Sequence, residues 1–514
     1  MRLTTSLHRA LQQYPDRPLT IFGDRVRTVR ESVDRVARLA TALRGLGVDV
    51  GDRVGILALN SDRYHETLLA AAWSGSVVVP LNIRWTAKEN GYAIRDAGLR
   101  VLLVDDTFAA SAAALVESCP ELVTVVHCGE GTTPEGCLSY EDLVAAAEPA
   151  DDASRGGSDL LGIFYTGGTT GEPKGVMLSH DNLMANALAT LTTHRLLSTG
   201  GRLLHSAPMF HLADVAAWNF GLLIGSTHVI VPMFEPVAVF EAIATHGATD
   251  ALLVPTMVQM LADHPAASSY DLSSMRKIMY GASPMSEAVL ERAMKVLPSV
   301  EFTQAYGMTE LSPVATLLLP ADHDDPVLRR SAGRAVVELE VRVVDPEDRE
   351  VPRGEVGEVV ARGESVMLGY WNRPDETATA LRGGWMHTGD GGFMDDEGYV
   401  FIVDRVKDMI VTGGENVYSV EVEKALALHP AVAACAVIGV PDERFGERVH
   451  AVVVLQPGAS LEDDELTEFC REQIANYKLP RSVEVVEALP VSGAGKILKR
   501  ELRARHWDGP RRVN

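Results

Sequence analysis

The stretch YTGGTTGEPKG, at positions 165 to 175, holds four glycines, three threonines and one lysine between the apolar runs LLGIF and VML. Glycine allows main-chain N–H groups to approach a ligand closely, and successive N–H groups in a turn form a concave anion site. Threonine hydroxyls bind phosphate oxygens or hydrated magnesium, and Lys174 adds one positive charge. The stretch therefore predicts a polyphosphate-binding loop between two strands. A ligand-free hairpin connection is the alternative, because Gly and Thr are common in turns.

This loop is not the P-loop of nucleotide triphosphatases. That motif requires G-x-x-x-x-G-K-[ST]. Here Pro173 precedes the lysine and Gly175 follows it. A different class of phosphate-binding loop is indicated.

Strand-like and helix-like segments alternate on both sides of the loop. The strand-like runs lie at 53–59, 76–82, 100–106, 228–233 and 250–255. The segments with helical periodicity lie at 31–46, 62–73, 86–97, 180–193 and 236–246. Such alternation is typical of an α/β fold in which helices cover both faces of a parallel sheet, so the sequence predicts doubly wound parallel sheets.

The pattern changes twice toward the C-terminus. From about residue 333 apolar and polar residues alternate between Pro/Gly turns, which indicates a small antiparallel sheet or barrel. From about residue 408 helices and strands form a separate unit. We therefore expect a large N-terminal domain at 1–406, with a β-barrel-like subdomain at about 333–406. A small mobile α+β domain should follow at 407–514.

Composition restricts the partners and the compartment. The 514 residues include 47 basic and 70 acidic side chains, a net charge of −23, which disfavours nucleic acid and an anionic membrane surface as partners. The N-terminus lacks the apolar core of a secretory signal, and no apolar run is long enough to span a membrane. The five cysteines form no C-x-x-C pair and are expected to be reduced thiols. We expect a cytoplasmic protein.

Four further segments are more polar than their surroundings. They are PMFH (208–211), QAYGMTE (304–310), HTGD (387–390) and DRVKDMIVTGGEN (404–416). Tyr306 is suited to stacking on a purine, Glu310 to binding Mg²⁺ and Asp390 to gripping ribose hydroxyls. Taken singly, each has a structural alternative: His211 or Tyr306 as a core residue, Asp390 as a turn residue, Lys496 as a surface charge.

In their order along the chain, these motifs together resemble one enzyme family. YTGGTTGEPKG, QAYGMTE, HTGD, DRVKDMIVTGGEN and the terminal GAGKILKR (493–500) are similar to the AMP-forming acyl-CoA synthetases of the adenylate-forming superfamily. The similarity extends over roughly residues 15 to 503. It implies an ATP-dependent carboxylic acid:CoA ligase with ATP and CoA as co-substrates and Mg²⁺ as the metal.

The resemblance also implies roles for individual residues. The loop residues expected at the β- and γ-phosphates are Thr166, Gly167, Gly168, Thr169, Thr170 and Lys174. The residues expected around adenine, ribose and the α-phosphate are Gly281, Ala282, Ser283, Gln304, Ala305, Tyr306, Thr309, Asp390 and Arg405. The expected metal ligands are Thr169 and Glu310.

The resemblance further implies a two-step reaction. The substrate carboxylate attacks the α-phosphorus of ATP, giving acyl-AMP and pyrophosphate, and Lys496 bridges the reacting groups. The small domain then rotates about a hinge at Lys407 and brings Gly413 and Gly414 to the CoA-binding tunnel. The CoA thiol attacks the acyl carbonyl and AMP leaves. The expected catalytic residues are Lys496, His211, Thr309 and Glu310.

The acyl pocket is expected to be apolar. Its predicted lining is Phe210, His211, Val215, Trp218 and Gly281. Residues 205–225 contain no arginine that could pair with a second carboxylate. A fatty, aryl or alicyclic monocarboxylic acid is therefore the expected substrate.

Several alternatives stay open at this point. Gly167 stands where the family more often has Ser or Thr, so the chain could perform mainly the thioester-forming half-reaction. It could also pass the acyl group to a carrier protein, release the adenylate, or only bind a nucleotide. The expected partners are the acid, ATP and CoA, with no nucleic acid and no transmembrane segment, and the chain could form a homodimer.

Overall fold

The protein is represented by a computed structural model. It describes residues 1–167, 172–283, 285–405, 408–412, 415–442, 444–462, 464–471, 473–491 and 497–507, with the backbone alone at 405, 411, 415 and 416. The chain divides into two compact units: residues 1–341 with 361–386, and residues 342–360 with 387–514. The predicted boundary at 406/407 falls on residues outside the described part and stays a prediction.

One sheet of the larger unit carries the adenine-site motifs. Its strands are, in spatial order, Arg334–Ala335, Val314–Leu318, Glu301–Gly307, Lys277–Gly281, Asp250–Leu253, Arg202–His205, Thr227–Ile230, Pro18–Phe22 and Arg25–Thr28. The strands from 301–307 through 18–22 pair in parallel, and antiparallel strands complete both edges. The parallel centre places the ends of strands 277–281 and 301–307 at the same edge.

The other sheet of this unit carries the glycine- and threonine-rich loop. Its strands are, in spatial order, Gly369–Tyr370, Lys174–Ser179, Leu160–Thr166, Val77–Pro80, Arg53–Leu57, Val101–Val104, Thr124–His127 and Leu138–Ser139. The strands from 160–166 through 138–139 pair in parallel. Strand 174–179 folds back antiparallel on 160–166, so the strands on either side of the loop pair as a hairpin.

Helices flank these sheets. They are Thr5–Gln13, Val29–Gly45, Asp62–Ser74, Ala87–Ala97, Ala109–Ser118, Tyr140–Ala146, His180–Thr193, Leu212–Ile224, Pro236–His246, Pro255–Asp263, Glu287–Val296 and Pro374–Ala380. Local sequence sets several of their ends. Thr28 with Glu31 and Thr86 with Glu89 form reciprocal capping boxes. Gly225 ends its helix with φ +74°, a conformation that a residue with a Cβ seldom adopts.

The smaller unit contains mainly antiparallel sheets. One sheet, whose residues lie mostly in this unit, is built from Glu340–Val344, Gly357–Arg362, Met386–Met394 and Val400–Arg405. Another contains Glu415–Val417, Ile410–Thr412, Gly446–Leu455, Val432–Asp442 and the parallel edge strand Ser482–Val485. The helices are Ser419–Leu426, Glu465–Arg471 and Lys499–Arg503. None of the helices in the described residues combines the length and apolar character that crossing a bilayer requires.

Candidate functional site

The base of the glycine- and threonine-rich hairpin is well defined. Thr166 and Lys174 are paired across the two strands, and the Thr166 hydroxyl donates to the Lys174 carbonyl over 3.5 Å. Gly167 is exposed, and a Cβ built there meets no atom within 4 Å. Packing therefore does not require glycine at position 167, and a side chain would fit there. Gly168, Thr169 and Thr170 lie outside the described residues.

Tyr370 connects Lys174 to Glu310. The Tyr370 hydroxyl donates a hydrogen bond to Glu310 Oε1 over 2.9 Å, and Lys174 Nζ lies 5.0 Å from the Tyr370 ring centroid. Tyr370 can hold this position because strand 369–370 pairs with strand 174–179, with Tyr370 opposite Val176. The structure thus brings two predicted site residues that are distant along the chain onto one tyrosine.

Sequence reasoning missed the segment that contains this tyrosine. Trp371 donates its backbone N–H to the Gly175 carbonyl over 2.7 Å and its indole N–H to the Asp96 carbonyl over 2.9 Å. The Tyr165 hydroxyl donates to Asp96 Oδ2 over 2.6 Å. Trp371 therefore packs against the two strands that flank the loop, through Gly175 directly and through the shared partner Asp96. The aromatic pair in GYWNRP (369–374) was the available signal.

Glu310 lies in a short 3₁₀ turn, Thr309–Leu311, directly after strand 301–307. The residue is 6% exposed, and its backbone carbonyl accepts the Met367 N–H over 2.9 Å. A carboxylate oxygen held in this position is a hard ligand of the kind that Mg²⁺ prefers. Glu310 therefore fits the predicted metal, whereas Thr169, the second predicted ligand, is not described.

The predicted adenine-lining residues meet at one sheet edge. Gly281 pairs with Ala305, and Tyr280 with Gln304, at the carboxyl ends of two parallel strands. A Cβ at Gly281 would lie 2.2 Å from the Ala305 carbonyl oxygen, so only glycine allows this approach. Ala282 follows with φ +68°. Ser283 is exposed, and Tyr306 and Thr309 are half-buried beside this edge.

The predicted acyl-pocket residues lie around the start of helix Leu212–Ile224. His211 is the residue before that helix, and its Nδ1 accepts the Ala213 N–H over 3.3 Å. Phe210, Val215 and Trp218 are buried. The Trp218 indole N–H donates to His65 Nδ1 over 2.7 Å. Among the predicted pocket residues, Trp218 is thus held in place by a hydrogen bond to a buried histidine.

A buried histidine network supports the same helix. His205 Nδ1 lies 2.8 Å from Asp214 Oδ2, and His205 Nε2 lies 2.9 Å from His228 Nδ1. Burial lowers the pKa of His65 to about 3 and also places the pKa of His228 well below its ordinary value. These histidines were not singled out in the sequence, because their partners are distant along the chain.

In the smaller unit, Asp390 and Arg405 are paired across strands 386–394 and 400–405. Asp390 is buried, and its backbone N–H donates to the Thr388 hydroxyl over 3.1 Å. Glu358 accepts from the Gly389 N–H over 2.9 Å. The predicted ribose residues are therefore neighbours in the backbone. The Arg405 side chain and the residues Lys407, Gly413, Gly414 and Lys496 lie outside the described part.

The segment after Lys496 is anchored by a charged network. Lys499 Nζ lies 2.7 Å from Glu423 Oε1 and also binds the Ser419 hydroxyl. Ser419 in turn donates to Asp404. Burial lowers the pKa of Lys499, but the Glu423 and Asp404 carboxylates outweigh it and raise the pKa above its ordinary value. Lys499 is therefore held as a cation three residues after the predicted catalytic lysine.

Family models match most of the chain. The AMP-binding enzyme model matches residues 7–371, and the AMP-binding enzyme C-terminal domain model matches residues 421–496. This chain belongs to the AMP-binding enzyme family.

Named relatives of this AMP-binding enzyme extend over nearly its whole length. The feruloyl-CoA synthase of Amycolatopsis sp is 41% identical over 498 residues, covering 97% of this chain and 97% of that protein. The fatty acid–[acyl-carrier-protein] ligase ScoC of Streptomyces coeruleorubidus is 39% identical over 518 residues, covering 99% and 97%. ATP-bound MatB from Rhodopseudomonas palustris superposes with a TM-score of 0.88 at 33% identity, covering 99% of each chain.

These findings confirm the predicted family and fold class. The AMP-binding enzyme is an AMP-forming acid–thiol ligase of the adenylate-forming superfamily with the predicted α/β architecture. ATP and CoA, the predicted co-substrates, are those of this class of ligase. The roles of individual residues stay predictions.

Proposed function

We propose that this AMP-forming ligase joins a hydrophobic monocarboxylic acid to CoA through an acyl-adenylate. The observation that carries the proposal is the connection from Lys174 through Tyr370 to Glu310. The Tyr370 ring lies near the Lys174 cation, and its hydroxyl binds the Glu310 carboxylate. Both of these charged groups are expected at the triphosphate. Gly281 and Ala305, expected at adenine, end two strands of the neighbouring sheet.

The first step must bring two anions together. A carboxylate and ATP repel each other, so positive charge at the phosphates is required. Lys174 and the loop N–H groups supply part of it, and Lys496 bridges the attacking carboxylate and the α-phosphate. Mg²⁺, held by Glu310 and Thr169, would neutralise the departing pyrophosphate. The carboxylate itself attacks phosphorus, so no protein nucleophile is needed.

The second step needs a different arrangement of the smaller domain. Rotation about Lys407 withdraws Lys496 and brings Gly413 and Gly414 to the CoA tunnel. The CoA thiol then attacks the acyl carbonyl, its proton is lost, and AMP leaves with the C–O bond electrons. Lys499, anchored to Glu423, keeps the segment carrying Lys496 attached to its own domain during this motion.

The acid is proposed from the pocket residues. Phe210, Val215 and Trp218 are apolar and buried around helix Leu212–Ile224. Two relatives are named for hydrophobic acids, a feruloyl and a fatty acyl substrate. A fatty, aryl or alicyclic acid with a single carboxylate fits these side chains.

A second acceptor is supported by one relative. ScoC, 39% identical, is named as a ligase of an acyl-carrier protein. If a carrier protein is the acceptor, AMP release will require that protein rather than CoA. AMP release that depends on CoA alone will exclude this alternative.

The test of the proposal is a pyrophosphate-release screen over aliphatic, aromatic and alicyclic acids, with and without CoA. Pyrophosphate release that depends on a hydrophobic monocarboxylic acid, followed by CoA-dependent AMP release, is the expected result. A dicarboxylic acid of matched size serves as the control and should be turned over poorly. Equal turnover of both would contradict the proposed acid class.

The cytoplasm is the proposed location, and a homodimer the proposed assembly. Support for a reducing compartment comes from the five cysteines, which are all free; Cys119, Cys128 and Cys470 are buried. Size-exclusion chromatography with light scattering will test the homodimer.

A further inference from the structure

Three metal-binding side chains converge on one face of a sheet in the smaller unit. They are His450, Glu484 and His506, and one ligand atom from each lies within 4.8 Å of the others. Glu484 Oε2 is 3.5 Å from His450 Nε2 and 3.8 Å from His506 Nε2. We propose that these three residues form a Zn²⁺ site that fastens the C-terminal segment, residues 497–507, to the sheet.

The two distances to Glu484 Oε2 are close to those expected around one metal ion. Zn²⁺ binds imidazole nitrogen and carboxylate oxygen at about 2.0–2.2 Å in tetrahedral geometry, so two ligand atoms on one ion lie about 3.3–3.6 Å apart. The His450–Glu484 distance falls inside this range, and the His506–Glu484 distance exceeds it by only a few tenths of an ångström. Binding of one ion by all three atoms requires the His506 ring, whose side chain is 30% exposed, to turn toward the other two residues.

His450 presents a nitrogen that the described part of the protein leaves without a hydrogen bond. The residue is 6% exposed, and its Nδ1 lies 2.8 Å from the Ser482 hydroxyl. Its Nε2 is buried, and no hydrogen-bond partner for it is found among the described residues. A buried unpaired polar atom is unfavourable. When the Ser482 hydroxyl accepts the Nδ1 proton, the Nε2 lone pair is available to a metal ion, as in histidines that bind metal.

The convergence is produced by the fold rather than by flexible surface side chains. His450 pairs with Ser482, and Val452 with Glu484, across parallel strands 446–455 and 482–485. Side chains alternate between the two faces of a sheet, so residues two positions apart on one strand share a face, as do residues paired across strands. His450 and Glu484 are related in this way and therefore lie on the same face.

His506 is brought to this face from the C-terminal helix. Leu502 is buried in a cluster with Val452. On the other side of His506, the Trp507 indole N–H donates to the Gly439 carbonyl over 3.0 Å. The segment is therefore attached to the sheet both before and after His506, and the ring lies 4.8 Å from that of His450.

The ligand atoms of the site suit a divalent cation that accepts nitrogen ligands. Arg505 Nη1 lies 3.6 Å from Glu484 Oε1, which leaves Oε2 for the metal. Two nitrogens and one oxygen suit Zn²⁺ rather than Mg²⁺, which prefers oxygen ligands alone.

The site is tested on the full chain, prepared without a histidine tag and stripped with a chelator. Zn²⁺ is titrated in competition with a chromophoric chelator, and the unfolding midpoint is followed with and without Zn²⁺. We expect one Zn²⁺ per chain at this site. His506→Ala and Glu484→Gln should each weaken Zn²⁺ binding by more than about a hundredfold. Loss of a residue that only hydrogen-bonds a metal ligand weakens binding by about 10–100-fold, and loss of a ligand itself should weaken it further.

A matched control is available in the same unit. His429 is buried and its Nε2 lies 3.4 Å from Glu465 Oε1, but the pair belongs to no three-ligand cluster among the described residues. His429→Gln should keep wild-type Zn²⁺ affinity and the Zn²⁺-dependent rise in the unfolding midpoint. His506→Ala should lose that rise. No tight Zn²⁺ in the wild type, or equal affinity in wild type and His506→Ala, would overturn the proposal. Since adenylation is not measured, either result is independent of the proposed ligase activity.

Discussion

The Tyr370 hydroxyl donates a hydrogen bond to Glu310 Oε1 over 2.9 Å, while the same ring lies 5.0 Å from Lys174 Nζ. Both Tyr370 and Glu310 are buried, at 9% and 6% exposure. One oxygen of the carboxylate is thereby fixed, which orients the second. Tyr370 is a positioning residue for the proposed metal ligand.

Removal of the Tyr370 hydroxyl should weaken metal binding. Tyr370→Phe keeps the ring near Lys174 but removes the hydrogen bond from the Tyr370 hydroxyl to the Glu310 carboxylate. The Mg²⁺ concentration for half-maximal pyrophosphate release should rise about tenfold, the lower range for an outer partner of a metal ligand. Tyr140→Phe is the control, since it removes a buried 2.8 Å hydrogen bond to Glu66. An equal rise in both variants would show a general loss of packing.

Replacement of the proposed metal ligand itself should have a larger effect. Glu310→Gln keeps an oxygen that can accept from Tyr370 but removes the negative charge. The Mg²⁺ requirement should rise by more than that of Tyr370→Phe. The measurement is the same Mg²⁺ titration at saturating ATP and acid. Unchanged metal dependence would remove Glu310 from the proposed ligands.

The two half-reactions should respond differently to Lys496→Ala. Adenylate formation should slow by about 10²–10³-fold, the usual effect of losing one group that stabilises transition-state charge. Thioester formation from supplied acyl-AMP should be largely retained. Rapid-quench assays of each half-reaction will measure both rates. Equal losses in the two assays would contradict the proposed role.

Loss of the Lys499 partner should destabilise the smaller unit. Glu423→Gln leaves a buried ammonium without its 2.7 Å carboxylate, which should lower the free energy of unfolding by about 3–5 kcal/mol. Glu421→Gln breaks the more exposed pair with Lys478 and should lower it by about 0–1 kcal/mol. Urea unfolding followed by circular dichroism will compare the variants. Similar midpoints would show that the Lys499 pair contributes little.

Acid should destabilise the larger unit through His65. This imidazole stays neutral when folded because burial lowers its pKa to about 3, whereas the unfolded chain protonates it near its ordinary pKa of about 6.5. The contribution of neutral His65 to the free energy of unfolding is thus complete above pH 6.5 and declines as the pH falls toward 3. The expected slope is about 1.4 kcal/mol per pH unit.

Urea midpoints between pH 7.5 and 4.5 will measure this slope. His65→Gln, which can still accept from Trp218, should reduce it. His246→Gln, at a partly exposed position, should leave it unchanged. The same slope in His65→Gln as in the wild type would show that other groups cause the acid sensitivity.

Local sequence was sufficient for much of the architecture. The predicted helices at 180–193 and 236–246 have the bounds found in the structure. Four of the five predicted strand runs contain the observed strand, and the fifth, 228–233, begins one residue after the start of strand 227–230. Hydrophobic periodicity and helix capping depend on residues that are close in sequence, so helices and strands can be predicted from them without knowledge of the fold. The helix Leu212–Ile224 was missed because apolar residues occur on all of its sides, so that it shows little amphipathic period.

The sequence by itself determined the alternation of strands and helices, the family and the ordered motifs that identify a ligase. Only the tertiary structure decided that Tyr370 links Lys174 to Glu310, that Asp214, His205 and His228 form one buried network, and that His450, Glu484 and His506 converge. Motifs are contiguous, so their chemistry is visible in the chain. These partners come from separate strands and helices, and only sheet pairing and core packing bring their side chains within bonding distance.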